Sequence, residues 1–158
     1  MNANNDVYQK LKELNIELPE PSEDLEFLRM ARPFGDNLMY VSGMGPAIAG
    51  KKNYQGTIPS KVSVEEGKIA ARNCAINILA VLHDRLGSLN RVKSIVKLLV
   101  YVASDIGFTE QHLVAHGASQ LFIQVFGTEI GKGTRSAVGV AALPMGFAVE
   151  IEAVVELC

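Results

Sequence analysis

The first half of the chain changes from a helical to an extended pattern of apolar residues. Val7, Leu11 and Leu14 recur at helical spacing, which predicts a short amphipathic helix over residues 5–15. Two prolines in "IELPEPSED" end that pattern. The stretches "LEFLRMA" and "NLMYVSG" predict two antiparallel strands joined by a turn at "RPFGDN". A loop rich in Gly and Pro follows over residues 43–62, and a loop of that length suggests a functional role.

The second half contains the clearest helix, residues 63–87. Ser63 and Glu66 have capping-box spacing at its start, and Gly87 ends it. The strongly apolar "VKSIVKLLVYVAS" predicts a strand at the centre of a sheet. A second helix over residues 109–127, with Thr109 as its cap, and strands over 135–142 and 147–156 complete the chain. The order, a short helix and then ββαβαββ, is typical of an α+β protein with two helices packed on one mixed sheet.

Composition and charge narrow the classes of function. The 158 residues suit one domain over residues 1–158, with residues 1–21 as an N-terminal helical extension. A net charge of -2 with no polybasic block disfavours nucleic-acid and membrane partners. No apolar run is long enough to cross a bilayer, and the N-terminus does not resemble a signal peptide. We therefore expect a soluble cytoplasmic protein.

The predicted apolar strand 135–142 begins with the charged Arg135, and the next strand carries the acidic residues Glu150 and Glu152. If these strands form a hairpin with Ala142 opposite Phe147, then Arg135 shares a face with Glu150 and Glu152. Val149 and the other odd-numbered residues of the last strand would then face the helices, together with the even-numbered residues of strand 135–142.

In this register the residues between the charges are small, which leaves room for a small organic acid. The planar guanidinium of an arginine can bind a carboxylate through two hydrogen bonds, and a glutamate beside it can hold or activate a water molecule. The alternative is that Arg135 and the glutamates form a solvated ion-pair face or a subunit contact.

The central strand also predicts an oligomer. Its segment "LLVYVA" is too apolar to leave either side in water, so a partner subunit is expected to cover the face away from the helices. A pocket between Arg135 and Glu150 would then lie at a subunit boundary.

Three other motifs carry weaker signals. "GPAIAGKK" nearly has P-loop spacing, but Lys52 stands where Ser or Thr should bind magnesium, so a cleft loop is the better interpretation. His112 and His116 have a spacing that can bind a metal, but no acid or Cys is placed to complete the ligand set. Cys74 and Cys158 are too few and too scattered for a disulfide framework or a metal site.

The chain resembles the YjgF/RidA family in three stretches. "RSAVGVAALPMGFAVEIEAVV" is similar to the family's C-terminal signature, which opens with Arg-Ser, has a central Leu-Pro and closes with Val-Glu-Ile-Glu-Ala. "NLMYVSG" matches the family strand that ends in Ser-Gly, and "GSLNRVKSIVKLLVYVASDIGF" matches its helix-to-strand segment. The resemblance covers roughly residues 25–157.

The resemblance implies a chorismate-mutase-like α+β fold, a homotrimer with an internal barrel, and ligand clefts between subunits. It implies hydrolysis of reactive 2-imino and enamino acids to 2-oxo acids and ammonia, without a metal or an organic cofactor. Arg135 would clamp the substrate carboxylate and Glu150 would position the attacking water. The substrate-binding positions that it implies are Ser42, Gly43, Ser136, Ala137 and His116.

The chain also departs from the family pattern. Ala137 stands where the family often has Cys, His116 stands where it has Asn, and the family's cleft Tyr has no evident counterpart in "EFLRMARPFGDN". The alternative function is therefore a non-catalytic trimer that binds a small carboxylate or keto acid. A ribonuclease role, also attached to the family, has little support because the chain is slightly acidic and shows no basic groove.

Overall fold

A computed structural model describes residues 6–158. The helices are Val7–Glu13 (α1), Val64–Leu86 (α2), Gln111–Phe126 (α3) and Thr128–Gly131 (α4). The strands are Ala31–Phe34 (β1), Leu38–Met44 (β2), Val92–Ala103 (β3), Thr134–Val140 (β4) and Val149–Leu157 (β5), with 3₁₀ turns at Leu89–Arg91 and Pro144–Gly146. This is the predicted order with one added helical turn, α4. Residues 1–5, which include the first residue of the predicted N-terminal helix, lie outside the described residues.

A side-chain cap explains where α2 begins, and a backbone cap explains where it ends. The Ser63 hydroxyl accepts a hydrogen bond from the Glu66 backbone N–H, and the Glu66 carboxylate accepts one from the Ser63 backbone N–H at 2.8 Å. The Ser63 backbone N–H and the Ser63 hydroxyl, at 2.7 Å, both donate to the Glu66 carboxylate and thereby lower its pKa. At the other end Gly87 adopts φ 71°, a left-handed conformation that favours glycine. In α3, by contrast, the N-cap is Glu110 rather than the predicted Thr109, and its side chain makes no capping bond.

The two long helices cross closely on one face of the sheet. Gly117 of α3 lies against the backbone of Lys68 in α2, and a Cβ at Gly117 would be only 2.7 Å from the Lys68 carbonyl carbon. Phe122 and Phe126, stacked at 6.4 Å, fill the core beneath them. The crossing places the first half of α3 beside Lys68. No helix among residues 6–158 is long and apolar enough to span a membrane.

The five strands of residues 6–158 have the order β1-β2-β5-β3-β4, and among them only the β3–β4 pair is parallel. The predicted hairpin of the last two strands, with Ala142 opposite Phe147, is therefore wrong because β3 lies between β4 and β5. Two parallel strands need a long crossover connection, which α3 and α4 provide. The segment "LPMG" instead carries the chain past the end of β3 to the antiparallel strand on its other side.

The strand order reverses the predicted faces of β4 but not those of β5. Val149, Ile151, Ala153 and Val155 are buried beneath the helices, as predicted. In β4, Arg135 pairs with Leu98, and Gly139 pairs with Val102; both partners are buried on the helix side. Arg135, Ala137 and Gly139 therefore face the helices. Ser136 and Val138 lie on the other side, the open face, level with Leu99 and Tyr101.

The segment before β1 forms a tight turn rather than the predicted strand. Leu25 and Leu28 exchange two backbone hydrogen bonds, of 2.8 and 3.3 Å, with Phe27 at the tip. Asp24 anchors the turn, because its carboxylate accepts from the Met30 backbone N–H at 2.9 Å and pairs with Arg85 of α2 at 2.6 Å. The Leu25–Leu28 turn is thus fixed to the body of the protein.

Candidate functional site

Glu150 lies near the start of β5 on the open face, in contact with the backbone of β2. A Cβ at Gly43 would overlap its carboxylate and would be 2.8 Å from its Cδ atom. A β-bulge lies between Val41 and Met44 and changes the register of β2 at this point. Burial, followed by the negative charge of Glu152, raises the pKa of Glu150. A carboxylate with a raised pKa is a better proton acceptor near neutral pH.

The residue before Gly43 connects the strand to the neighbouring segment. The Ser42 hydroxyl donates to the Arg29 carbonyl at 2.7 Å, and its backbone N–H donates to the Met30 carbonyl at 2.9 Å. The next glycine, Gly45, leaves room for the ring of Phe147, which would lie 2.7 Å from an added Cβ. The sequence "SGMG" therefore lets two side chains of the C-terminal region approach the backbone of β2.

A cavity of about 630 Å³ opens beside these residues, which we call the Glu150 cavity. Ser42, Gly43, Glu150 and Glu152 are among the residues that line it. The Leu25–Leu28 turn and the loop that carries Met145 and Phe147 also line it. The volume lies within the range of roughly 300–1,000 Å³ that is usual for small-molecule sites. Within the described residues, Ser42, Gly43 and Glu150 thus line one cavity.

Arg135 lies elsewhere, on the helix face of the edge strand β4. Its guanidinium donates to the Ser119 hydroxyl at 3.0 Å and to the His112 carbonyl at 3.4 Å. The salt bridges found among residues 6–158 do not include Arg135. Burial lowers its pKa, but an arginine stays charged at neutral pH. A partly buried guanidinium without a carboxylate partner is suited to bind an anion.

His116 belongs to the Arg135 group. Burial and the charge of Arg135, then His112 and Lys68, lower its pKa, which favours the neutral imidazole at neutral pH. Its ring meets that of His112 edge to face, with centroids 6.2 Å apart. A neutral imidazole carries one donor and one acceptor, so His116 can hydrogen-bond a polar ligand held by Arg135.

The two remaining predicted residues occupy different faces of β4. Ala137 packs against the core on the helix side. Ser136 lies on the open face, where its hydroxyl accepts from Lys97 at 3.1 Å. Gly139, further along β4, leaves room for Gln111 of α3, whose amide nitrogen would be 2.8 Å from an added Cβ.

The predicted residues therefore form two half-sites on opposite faces of the sheet. Glu150 pairs with Tyr101, which pairs in turn with Val138 of β4, so two strand spacings, about 10 Å, separate β5 from β4. Arg135 points to the helix side and Glu150 to the open side. The prediction that both side chains lean into one gap within a single chain is wrong, because it depended on the β4–β5 hairpin.

Sequence reasoning missed several residues around the half-sites. Tyr101 donates to Glu152 at 3.3 Å, and burial raises its pKa, as do the nearby charges of Glu152 and Glu150. Asn77 of α2 holds the loop after β2 by donating to the Gly45 and Ala47 carbonyls at 2.9 and 2.8 Å. The alternation of "LLVYVA" places Tyr101 on the other sheet face from its buried neighbours in the strand. Only the strand order places it beside Glu150.

These observations define an α+β protein with helices on one sheet face and a candidate small-molecule cavity beside Glu150. A comparison with family models agrees with this class. The model described as "YjgF/chorismate mutase-like, putative endoribonuclease" matches residues 9–156. The chain therefore belongs to the YjgF family, and the predicted chorismate-mutase-like fold is confirmed.

Individual relatives support the same assignment. Protein TCP17 of Trypanosoma cruzi is 42% identical over 163 residues, covering 98% of this chain and 96% of its own. Protein HMF1 of Saccharomyces cerevisiae is 33% identical over 119 residues, covering 75% and 76%. The crystal structure of Atu1372 from Agrobacterium tumefaciens, a protein of unknown function, has a TM-score of 0.89 at 40% identity and covers 96% and 92% of the two chains.

Proposed function

We propose that copies of this chain assemble into a homotrimer in which Arg135 of one copy and Glu150 of the next share a cleft. The cleft hydrolyses 2-imino and enamino acids to 2-oxo acids and ammonia. The division of the predicted residues between two sheet faces supports this arrangement, because one chain alone cannot bring both groups to one small ligand. Apolar side chains on the open face, such as Tyr40 (50% exposed) and Val138 (39%), are suited to a subunit contact.

In the proposed reaction Arg135 binds the substrate carboxylate through two parallel hydrogen bonds. Glu150 accepts a proton from a water molecule as the water oxygen bonds to the carbon of the C=N group, and then passes this proton to the nitrogen, which returns Glu150 to its carboxylate form. The resulting carbinolamine transfers its hydroxyl proton to the departing nitrogen, and the C–N bond breaks. Ammonia leaves and a 2-oxo acid remains. The protein contributes positioning and placed charge to a reaction that also occurs in water.

The observation that carries the proposal is the partly buried Arg135 guanidinium, which has no carboxylate partner among the salt bridges of residues 6–158. His116 beside it, with its lowered pKa, adds no competing positive charge in its neutral form. We propose that Ser42, Gly43, Ser136, Ala137 and His116 line the assembled cleft. Gly43 would supply backbone contacts, and Ala137 would leave space without offering a thiol.

The direct test is the release of ammonia and 2-oxobutanoate from freshly generated 2-iminobutanoate. The wild-type protein should accelerate release, and Arg135→Ala should abolish the acceleration without changing the oligomeric state. Arg91→Ala is a matched control, because Arg91 also donates to a backbone carbonyl, that of Leu86, but outside both half-sites. A wild-type rate equal to the rate in buffer would rule out hydrolysis of this substrate.

The competing function is binding without turnover. A carboxylate-binding trimer would be stabilised against heat by 2-oxobutanoate, and Arg135→Ala would abolish that stabilisation. Ribonuclease activity is disfavoured because Glu150 and Glu152 on the open face repel phosphates. RNA binding with a steep salt dependence would contradict that expectation.

A further inference from the structure

The Glu150 cavity has an apolar wall that no predicted site residue explains. Leu25, Leu28 and Met145 line it, yet they are 64%, 47% and 61% exposed. Exposed apolar side chains that are grouped around one opening are typical of a binding surface. We call these three residues the apolar rim.

The apolar rim is held in place by bonds from outside the cavity. The Leu25–Leu28 turn is fixed to α2 through Asp24 and Arg85. Met145, the third residue of the rim, adopts φ 58°, a left-handed conformation that is costly for a residue with a side chain. The Gln55 amide donates to the Met145 carbonyl, and the Gly56 backbone N–H donates to the Gly146 carbonyl at 2.8 Å. Both halves of the rim are therefore positioned rather than loose.

The rim and Glu150 line the same cavity. Met30, Met44 and Phe147 add to its apolar lining, and Ser42, Gly43 and Glu150 are among its polar lining residues. A ligand whose reacting carbon lies beside Glu150 can therefore place its side chain against this apolar lining. A two-carbon side chain would leave much of the roughly 630 Å³ unfilled.

We propose that the substrates of this site carry large apolar side chains, of the size found in leucine or phenylalanine, and that Leu25, Leu28 and Met145 select them. This inference rests on the proposed function, since it assumes that Glu150 acts on the ligand. The selected class is the 2-imino and enamino acids of branched-chain and aromatic amino acids. Burial of additional methylene groups against the rim supplies the preference.

The test uses stable 2-oxo acids as probes, so that it does not depend on turnover. We expect 4-methyl-2-oxopentanoate and phenylpyruvate to bind the full-length protein about tenfold more tightly than 2-oxobutanoate, measured by calorimetry. Leu28→Ala and Met145→Ala should each weaken 4-methyl-2-oxopentanoate binding several-fold and leave 2-oxobutanoate unchanged. Phe27→Ala is the matched control, because Phe27 is 91% exposed on the same turn but does not line the cavity.

The possible outcomes separate this inference from the proposed function. Equal affinity for large and small oxo acids, or binding of none, would overturn the inference. A change of oligomeric state in Leu28→Ala, without a change in ligand preference, would also overturn it and make the rim a subunit contact. Tight binding of the large acids without hydrolysis of any imine would support the rim's role in selection and contradict the proposed hydrolysis.

Discussion

Gly43 and Glu150 are in contact between neighbouring strands, and the absence of a side chain at Gly43 is what admits the carboxylate. A Cβ at this position would overlap the carboxylate and lie 3.0 Å from the Glu150 Cγ atom. The glycine is therefore a requirement of packing. Its position beside Glu150 explains why the Ser-Gly end of β2 accompanies the Glu-Ile-Glu of β5 in this chain.

Gly43→Ala should displace the Glu150 carboxylate and reduce turnover of 2-iminobutanoate by about 100-fold, because a shift of about 1 Å at a reacting group costs roughly that much. Gly35→Ala is the control: its Cβ meets no atom within 4 Å, so it adds only backbone strain at φ 62°. Steady-state kinetics of both variants measure the effect. Full activity in Gly43→Ala would mean that Glu150 does not need its present position.

Arg135→Ala and Glu150→Ala should complement each other when they are co-expressed. In a cyclic oligomer, each site would take Arg135 from one copy and Glu150 from the next. Random mixing of the two variants then leaves about a quarter of the sites with both residues intact, whatever the number of subunits. Each variant alone should be inactive. The measurement is turnover by tagged, mixed oligomers purified after co-expression. If the mixture is as inactive as its parents, the two residues do not act across a subunit boundary.

Glu152→Gln should shift the acidic limb of the pH–rate profile to lower pH. Burial is the larger cause of the raised pKa of Glu150, and the charge of Glu152 is the second. Removing that charge lowers the pKa of Glu150, so the base is ionised at lower pH. Glu156→Gln is the control, because Glu156 is paired with Lys93 at 2.8 Å and is not a cause of the shift at Glu150. A limb that moves to higher pH would contradict the assignment of Glu150 as the base.

Glu150→Gln should stabilise the protein at neutral pH. Because the folded-state pKa of Glu150 is raised, the folded protein binds its proton more tightly than the unfolded chain does. Stability therefore falls as pH rises from the unfolded pKa through the folded one, and Gln avoids this loss. We expect an increase in Tm on the order of 2 °C at pH 7.5 that disappears below about pH 4.

Glu13→Gln provides a control of opposite sign for that measurement. A hydrogen bond from Lys10 lowers the pKa of Glu13, so its contribution to stability is present above its unfolded pKa and is lost as pH falls through the folded one. The Tm values of the two variants should therefore change in opposite directions at pH 7.5, and both should approach the wild-type Tm in acid. A stabilisation by Glu150→Gln that is equal at both pH values would show that it does not arise from ionisation.

The error in the last two strands shows the limit of local patterns. Four residues, "LPMG", separate the two stretches, which is a common length for a hairpin connection, and each stretch alternates as a strand should. Which strand pairs with which depends on β3, more than thirty residues earlier in the chain. Because side chains alternate with period two, a different partner can exchange the two faces of a strand. This is why Arg135 is found beneath the helices.

The sequence by itself determined the features that depend on near neighbours in the chain. These are the two long helices with Ser63 and Gly87 at the ends of the first, the alternation of β5 that presents Glu150 away from the core, and the candidate residues themselves. Only the tertiary structure decided the strand order, the two half-sites and the meeting of the Leu25–Leu28 turn with Met145. The physical reason is range: caps and alternation are set by residues a few positions apart, whereas strand pairing and cavity walls depend on segments that meet only after the whole core has packed.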